Sequence, residues 1–271
     1  MLADVRSLLF VPGNRPERYA KAGASGADLV CIDLEDAVAP ADRVAARVAV
    51  TDFLRTQPKG HRYGVRINRL PCADALRDVL ALHEAQAAPA FVMLAKTESA
   101  EQLVLLASWL PGVALIALVE SARGLAAARE IATAAAPVQA LLFGGVDFAA
   151  ELGAELAWEP MLHARLTLVA AAAMAKLACL DVPWLDVTDA AGAQAEARRV
   201  AALGFSGKAL IHPSQVAPVH AAWVPTQEAL ARARRVVAAC GENDAAVLVD
   251  GQLVDRPVVL AALRTLGRAE A

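Results

Sequence analysis

Residues 33–36 read Asp-Leu-Glu-Asp and follow the apolar run Leu29-Val30-Cys31-Ile32. Unpaired buried carboxylates are costly. Three of them at the end of a buried strand imply either a solvated loop or a positive partner. Two further carboxylates follow apolar runs in the same way, Glu120 after ALIALV and Asp147 after LLFGGV. Two hard oxygen ligands, with room left for waters and substrate, are how Mg²⁺ is usually held. The competing reading is that Glu120 and Asp147 are anions at the starts of the helices that follow them, which is also favourable. If the pair holds metal, Glu35 and Asp36 are candidates for bonding its waters.

Basic residues lie at similar positions. Arg66 stands inside the strand-like run VRIN, where an arginine needs a partner. Its planar fork suits a substrate carboxylate or carbonyl oxygen, or an internal ion pair with Glu35 or Asp36. Lys96 ends the fourth apolar run; it is either a Schiff-base amine or a carboxylate's partner. Arg15, Arg18 and Lys21 in GNRPERYAKAG form a small basic cluster that either holds phosphates or is a solvated helix face. His212 in IHP is read as a structural residue, and Lys208, at the start of the last run, falls on the opposite, stabilising face. No Ser–His–Asp arrangement, P-loop or GxGxxG is visible.

These residues need a scaffold that brings them to one face. Eight short apolar runs, 7–11, 28–33, 63–68, 90–95, 113–119, 138–144, 179–185 and 207–212, alternate with Ala-, Leu- and Arg-rich segments. The runs are continuous in hydrophobicity, as parallel strands covered on both faces are. Residues 42–54, 99–110 and 159–177 read as helices, the first with Val44, Val48 and Leu54 near one face and the second opened by Ser99 with Gln102 three residues on. The pattern predicts a (β/α)₈ barrel. Its chemistry-bearing residues then follow strand after strand at the C-terminal mouth: Pro12 to Arg15; Asp33, Glu35 and Asp36; Arg66 and Asn68; Lys96 and Glu98; Glu120 and Ser121; Gly144 to Asp147; Asp181 and Asp186; His212 and Pro213. Active sites of such barrels sit on that face. Pro225 marks a boundary between the barrel, residues 1–223, and an extension, 224–271. In the extension, 226–240 reads as a helix, CGEND as a turn, AVLVDGQLVD as a hairpin bent at Asp250-Gly251, and the segment after Pro257 as a last helix. This tail is expected to be a lid or an oligomer-forming arm.

Composition narrows the partners. Net charge is −3 at pH 7 and aromatic residues make up 4% of the 271. Neither favours nucleic acid or an anionic membrane. The four cysteines form no CxxC pair, which fits free thiols in a reducing compartment rather than disulfides or zinc. The N-terminal apolar run is too short for a signal peptide, and LTLVAAAAMAKLACL carries Lys176 and is too short to span a bilayer. A soluble cytoplasmic protein is expected.

Several of these segments match a known family in order along the chain. RSLLFVPGNRPERYAKA, DLVCIDLEDAV, VRIN, ALVESARG, FGGVDF, GFSGKALIHPSQ and DGQLVDRPV resemble the citrate lyase β-subunit-like proteins, among them malyl-CoA and citramalyl-CoA lyases, within the HpcH/HpaI aldolase group. The resemblance implies a (β/α)₈ barrel, Mg²⁺ dependence, assembly as a homotrimer or hexamer, and cleavage of a small acyl-CoA thioester to a 2-oxo acid and an acyl-CoA. A β subunit acting on an acyl-carrier thioester within a larger complex, or a non-catalytic barrel that binds a CoA ester, are the alternatives. It implies Glu120 and Asp147 as metal ligands, Arg66 as substrate clamp, Glu35 and Asp36 close to the metal waters, and Arg15, Arg18 and Lys21 near CoA. It also implies Asp255 as an acid/base group delivered from a neighbouring subunit. The chain departs from many members at Ala95, where they carry Pro, and at Val146, where they carry an acidic residue.

Overall fold

The computed structural model describes residue 2, residues 5–240 and residues 246–270. Eight parallel strands close into a barrel in sequence order: β1 (Ser7–Pro12), β2 (Leu29–Asp33), β3 (Tyr63–Ile67), β4 (Phe91–Leu94), β5 (Ala114–Val119), β6 (Val138–Phe143), β7 (Ala178–Asp181) and β8 (Gly207–Leu210), with β8 pairing back onto β1. Each expected strand is present, with ends that differ from the expected ones by up to four residues. Helices α1 (Tyr19–Gly23), α2 (Arg43–Arg55), α3 (Ala73–Glu84) and α4 (Ala100–Trp109) follow the first four strands in turn. α5 (Ala122–Ala126) and α6 (Ala128–Ala132) follow β5, α7 (Gly145–Leu152) and α8 (Trp158–Ala175) follow β6, α9 (Ala190–Leu203) follows β7, and α10 (Val216–Trp223) follows β8.

The period-2 alternation of a strand sends every second side chain into the barrel. Leu8, Cys31, Phe91, Met93, Ile116, Leu118, Ala140, Leu142, Leu180 and Ala209 fill it. A large residue opposite a small one keeps the interior close-packed: a Cβ on Gly64 would overlap the Phe91 ring. Continuing the same alternation, Asp33, Arg66 and Glu120 point inward at the mouth, one layer above this core. α4 opens with the expected capping box, Ser99 N–H donating to Gln102 Oε1 at 3.1 Å.

Three expectations are corrected by the packing. On α2, Val44 and Val48 are exposed and Ala46, Arg47, Val50, Thr51 and Leu54 are buried. Arg47 goes inward because Asp78 and Asp74 on α3 neutralise it, at 2.6 and 2.8 Å. Asp181 does not face the mouth, and Lys208, expected on the opposite, stabilising face, is buried beside it. Leu180 and Ala209 point inward, so their neighbours face the helix layer. There Lys208 Nζ lies 2.7 Å from Asp181 and 2.7 Å from Glu196, and Arg165 holds Asp181 from α8 at 2.8 Å. Asn68 is likewise buried away from the mouth: its side-chain amide donates to Asp78 Oδ2 at 2.7 Å and to the Leu34 carbonyl at 2.9 Å.

Residues 1–219 and 220–271 form two compact units. The second contains α11 (Gln227–Cys240), a hairpin of β9 (Val247–Val249) and β10 (Gln252–Val254), and α12 (Arg256–Glu270). Asp250 and Gly251 make its two-residue bend, with φ of 52° and 75°, the left-handed geometry that tight hairpins use. Ala233, Val236, Cys240, Val254 and Ala262 form this unit's own small core. The expected CGEND turn lies outside the described residues beyond Cys240. Among the described residues no helix is long and apolar enough to cross a membrane.

Candidate active site

The C-terminal ends of the strands enclose a cavity of about 440 Å³. Its polar lining comes from Asp33, Asp36, Arg66, Glu120 and Asp147; Phe10, Leu118, Leu142, Val146, Val182 and Ile211 supply an apolar wall. Five carboxylates converge in or beside it: those four and Glu35, which is buried and bonded to Lys96.

Asp33 answers the cost of burying a carboxylate. It is 1% exposed and takes Arg66 in a two-pronged pair, Nε to Oδ1 at 2.7 Å and Nη2 to Oδ2 at 2.6 Å. The same carboxylate accepts the backbone N–H groups of Glu35 and Ala37 at 2.9 and 3.0 Å, which shapes the loop that follows β2. Arg66 Nη1 lies 3.1 Å from Glu35 and 4.0 Å from Asp36, and its guanidinium packs over the Phe10 ring. Burial opposes its charge, but Asp33 and Glu35 outweigh burial and hold its pKa above the ordinary arginine value. The internal partner of Arg66 is therefore first Asp33. Of its five donors, Nε and one on Nη2 are committed to Asp33.

Glu120 is 3% exposed, and its Oε1 accepts the Lys96 backbone N–H at 2.8 Å. Burial pushes its carboxyl well above the usual range; the charges of Glu35 and Asp147 push the same way, against Arg66. It does not cap the next helix. Ser121 does that, accepting the Gly124 N–H at 3.0 Å. Glu120 is thus left to face the cavity. Gly144 makes room for it, since a Cβ there would overlap the Glu120 side chain. Asp147 stands in the first turn of α7, half-exposed, and reaches the same cavity.

Lys96 ties the cluster together. Its ammonium is 2.8 Å from Glu35, 3.7 Å from Asp36 and 3.9 Å from Asp147. Burial lowers its pKa, but the Glu35 hydrogen bond and the charges of Glu35, Glu120 and Asp36 raise it more, so the amine stays protonated. A Schiff-base nucleophile needs a free amine, and this environment works against one. Glu35 itself is raised, first by burial and then by Asp36, with Arg66 and Lys96 opposing.

Among the described residues no three His, Cys, Asp or Glu side chains form a closed metal cage. The candidate donors are instead two carboxylates, Glu120 just after β5 and Asp147 in the first turn of α7, both oxygen donors beside an open cavity. Glu35 adds a buried oxygen nearby, Oε2, which faces Arg66 Nη1 at 3.1 Å. That chemistry fits a hard divalent cation that keeps several waters, and it does not fit zinc or copper.

A second cavity of about 350 Å³ shares Phe10, Val11, Pro12 and Ile211 with the first and is lined by Arg18, Lys21 and His212. Two of the three predicted basic residues therefore meet at a pocket; Arg15 is exposed on the loop before them. His212 caps the turn after β8, its Nδ1 2.7 Å from Ser214 Oγ. Glu98 accepts the Ser121 hydroxyl at 2.8 Å, a supporting contact. Asp255 belongs to the second unit, exposed just before α12, where its carbonyl accepts the Val259 N–H at 3.0 Å. Asp33 as the Arg66 anchor, and Asp78 behind Asn68, were not distinguishable in the sequence. The sequence signal for Asp78 is that it is a lone acid on the buried face of α3, beside Val79 and Leu82.

Residues 6–213, the whole barrel, match the family described as HpcH/HpaI aldolase/citrate lyase. This chain is a member of that family. A citrate lyase subunit beta-like protein of Mycobacterium tuberculosis is 46% identical, over 96% of this chain and 94% of the relative. An L-malyl-CoA/beta-methylmalyl-CoA lyase of Cereibacter sphaeroides is 35% identical, over 92% of this chain and 90% of the relative. Among solved structures, protein CitE of Mycobacterium tuberculosis in complex with magnesium, acetoacetate and coenzyme A superposes with a TM-score of 0.90 at 42% identity, covering all of both chains. HpcH/HpaI family membership agrees with the resemblance carried by the seven segments, and the closed eight-stranded barrel agrees with the expected fold.

Proposed function

We propose that this HpcH/HpaI family member is a Mg²⁺-dependent carbon–carbon lyase. Its substrate is a small acyl-CoA thioester such as malyl-CoA or citramalyl-CoA, and its products are a 2-oxo acid and an acyl-CoA. The observation that carries the reading is the convergence of Glu120, Asp147 and Arg66 on one cavity whose remaining lining is largely apolar. The relatives named above support the acyl-CoA class.

Glu120 and Asp147 would hold the metal. When bound, Mg²⁺ supplies a Lewis acid and a template for a carboxylate and its neighbouring oxygen. Arg66, fixed by Asp33, directs remaining donors at the substrate oxygen where negative charge develops, in a site where such donors cost little reorganisation. Glu35 and Asp36 orient the surrounding waters. The apolar wall keeps water from the acyl carbon that becomes the nucleophilic centre. Arg18 and Lys21, with Arg15 on the adjoining loop, bind phosphates of CoA. Asp255 gives or takes the proton at that carbon, reaching the site from a neighbouring subunit in a homotrimer or hexamer. The 224–271 extension then serves as lid and assembly arm. A cytoplasmic location is proposed from the four free cysteines.

The test is a panel of malyl-CoA, citramalyl-CoA and related thioesters, each with Mg²⁺ and with excess EDTA, reading released glyoxylate or pyruvate. Chelator-sensitive cleavage of at least one ester is expected. Cleavage untouched by EDTA overturns the metal mechanism, and cleavage of none overturns the substrate class.

A further inference from the structure

Five carboxylates, Asp33, Glu35, Asp36, Glu120 and Asp147, crowd the mouth of the barrel, and among the described residues the cations within 4.0 Å of them are Arg66 and Lys96, with Arg69 lining an adjoining cavity beside Lys96, Glu120 and Asp147. Arg66 is committed to Asp33 through both prongs of its fork. Lys96 is held differently. Its backbone adopts a left-handed φ of 48°, a conformation that side-chain-bearing residues avoid unless the surroundings enforce it. That turn aims the N–H at Glu120 Oε1, 2.8 Å away, and sends the side chain across the mouth to Glu35. One residue thus touches a proposed metal ligand through its backbone and lies 3.9 Å from the other, Asp147, through its charge.

We propose that Lys96 is a built-in counter-cation of this carboxylate cluster, one that keeps the cluster assembled without metal and competes with the divalent cation that binds it. The inference rests on Glu120 and Asp147 being the metal ligands. The distances define a division of labour. The ammonium is nearest Glu35, at 2.8 Å, and more loosely placed against Asp36 and Asp147, at 3.7 and 3.9 Å. A lysine is a compact charge on a flexible stem. It can keep Glu35 and withdraw from Asp147 when a second positive charge arrives. Like charges a few ångströms apart in a partly buried site repel strongly, so the ammonium lowers the affinity of the site for metal. The gain is a cluster already gathered before the metal enters.

The experiment measures binding of Mn²⁺ alone, a paramagnetic substitute for Mg²⁺, by electron paramagnetic resonance, together with melting with and without metal. Wild type, Lys96→Met, Lys96→Arg and Glu120→Gln are compared, with no substrate present. Lys96→Met keeps the stem and the backbone N–H and removes the charge. It is expected to bind Mn²⁺ about tenfold more tightly, to lose that advantage as salt is raised, and to show a lower metal-free Tm with a larger rise on adding metal. Lys96→Arg should stay near wild type. Equal or weaker binding by Lys96→Met, while Glu120→Gln loses binding, overturns the role of Lys96 and leaves the metal site standing. Wild-type binding by Glu120→Gln overturns the metal site, and the proposal with it.

Discussion

Arg66 and Asp33, on adjacent strands and paired across the register, meet fork to fork at 2.7 and 2.6 Å with Asp33 almost fully buried. This pair converts a buried acid from a liability into the anchor of the candidate substrate clamp. Breaking one side of a buried pair leaves the other charge uncompensated, which costs about 3–5 kcal/mol. Asp33→Asn should therefore lower stability by an amount in that range, read from the urea midpoint at constant slope. It should also raise KM for the thioester, because Arg66 loses its fixed orientation. An unchanged midpoint would show that Glu35 alone suffices to hold Arg66.

Glu120→Gln removes a proposed metal ligand but keeps its shape. Metal-dependent turnover should fall at least about a hundredfold, the scale set by losing one preorganised electrostatic group. The far-UV spectrum and the metal-free Tm should stay close to wild type, because the carboxylate removed is one that burial and its acidic neighbours already disfavour. Turnover near the wild-type rate would end the assignment.

Asp255 carries a different prediction, because it lies in the second unit. Asp255→Asn should cut turnover while leaving metal affinity unchanged. If the residue is shared between subunits, mixing Asp255→Asn with Glu120→Gln protein under exchange conditions should restore part of the activity that each variant lacks. Absence of any recovery, with exchange verified by mass spectrometry, argues that each site draws on its own chain.

Asp74 sets an acid limit for the α2–α3 layer. Hydrogen bonds from Arg47 and Arg43, then Arg77, hold its carboxyl near 2, below the ordinary 3.8. A depressed folded-state pKa means the stabilisation is present above the unfolded value, near pH 4, and is lost as pH falls through about 2. Asp74→Asn should therefore be less stable than wild type at neutral pH, and the gap between the two should close between about pH 4 and pH 2. Thermal melts across that range test it; a gap independent of pH would mean that the charge of Asp74 contributes nothing.

The barrel and the roster of mouth residues are legible in the spacing of the chain alone. Eight apolar runs spaced by helical segments admit few arrangements, and in a parallel barrel all strand C-termini share one face. That placed Glu35, Asp36, Arg66, Glu120 and Asp147 together, and the motif order tied them to the HpcH/HpaI family. Spacing also located the Asp250-Gly251 bend, because a two-residue hairpin turn has its own residue chemistry. Which charge pairs with which is fixed by the folded packing. Asp33, Asp181 and Asp147 all look alike at strand ends, yet one anchors Arg66, one is buried among Arg165 and Lys208 in the helix layer, and one faces the cavity. The outward turn of Asp181 and Lys208, the burial of Arg47 against Asp78, and the reach of Lys96 to Glu35 depend on contacts between residues 27 to 61 positions apart in the chain. The cost of burying a charge is settled only by what lies beside it, and that is a property of the folded chain.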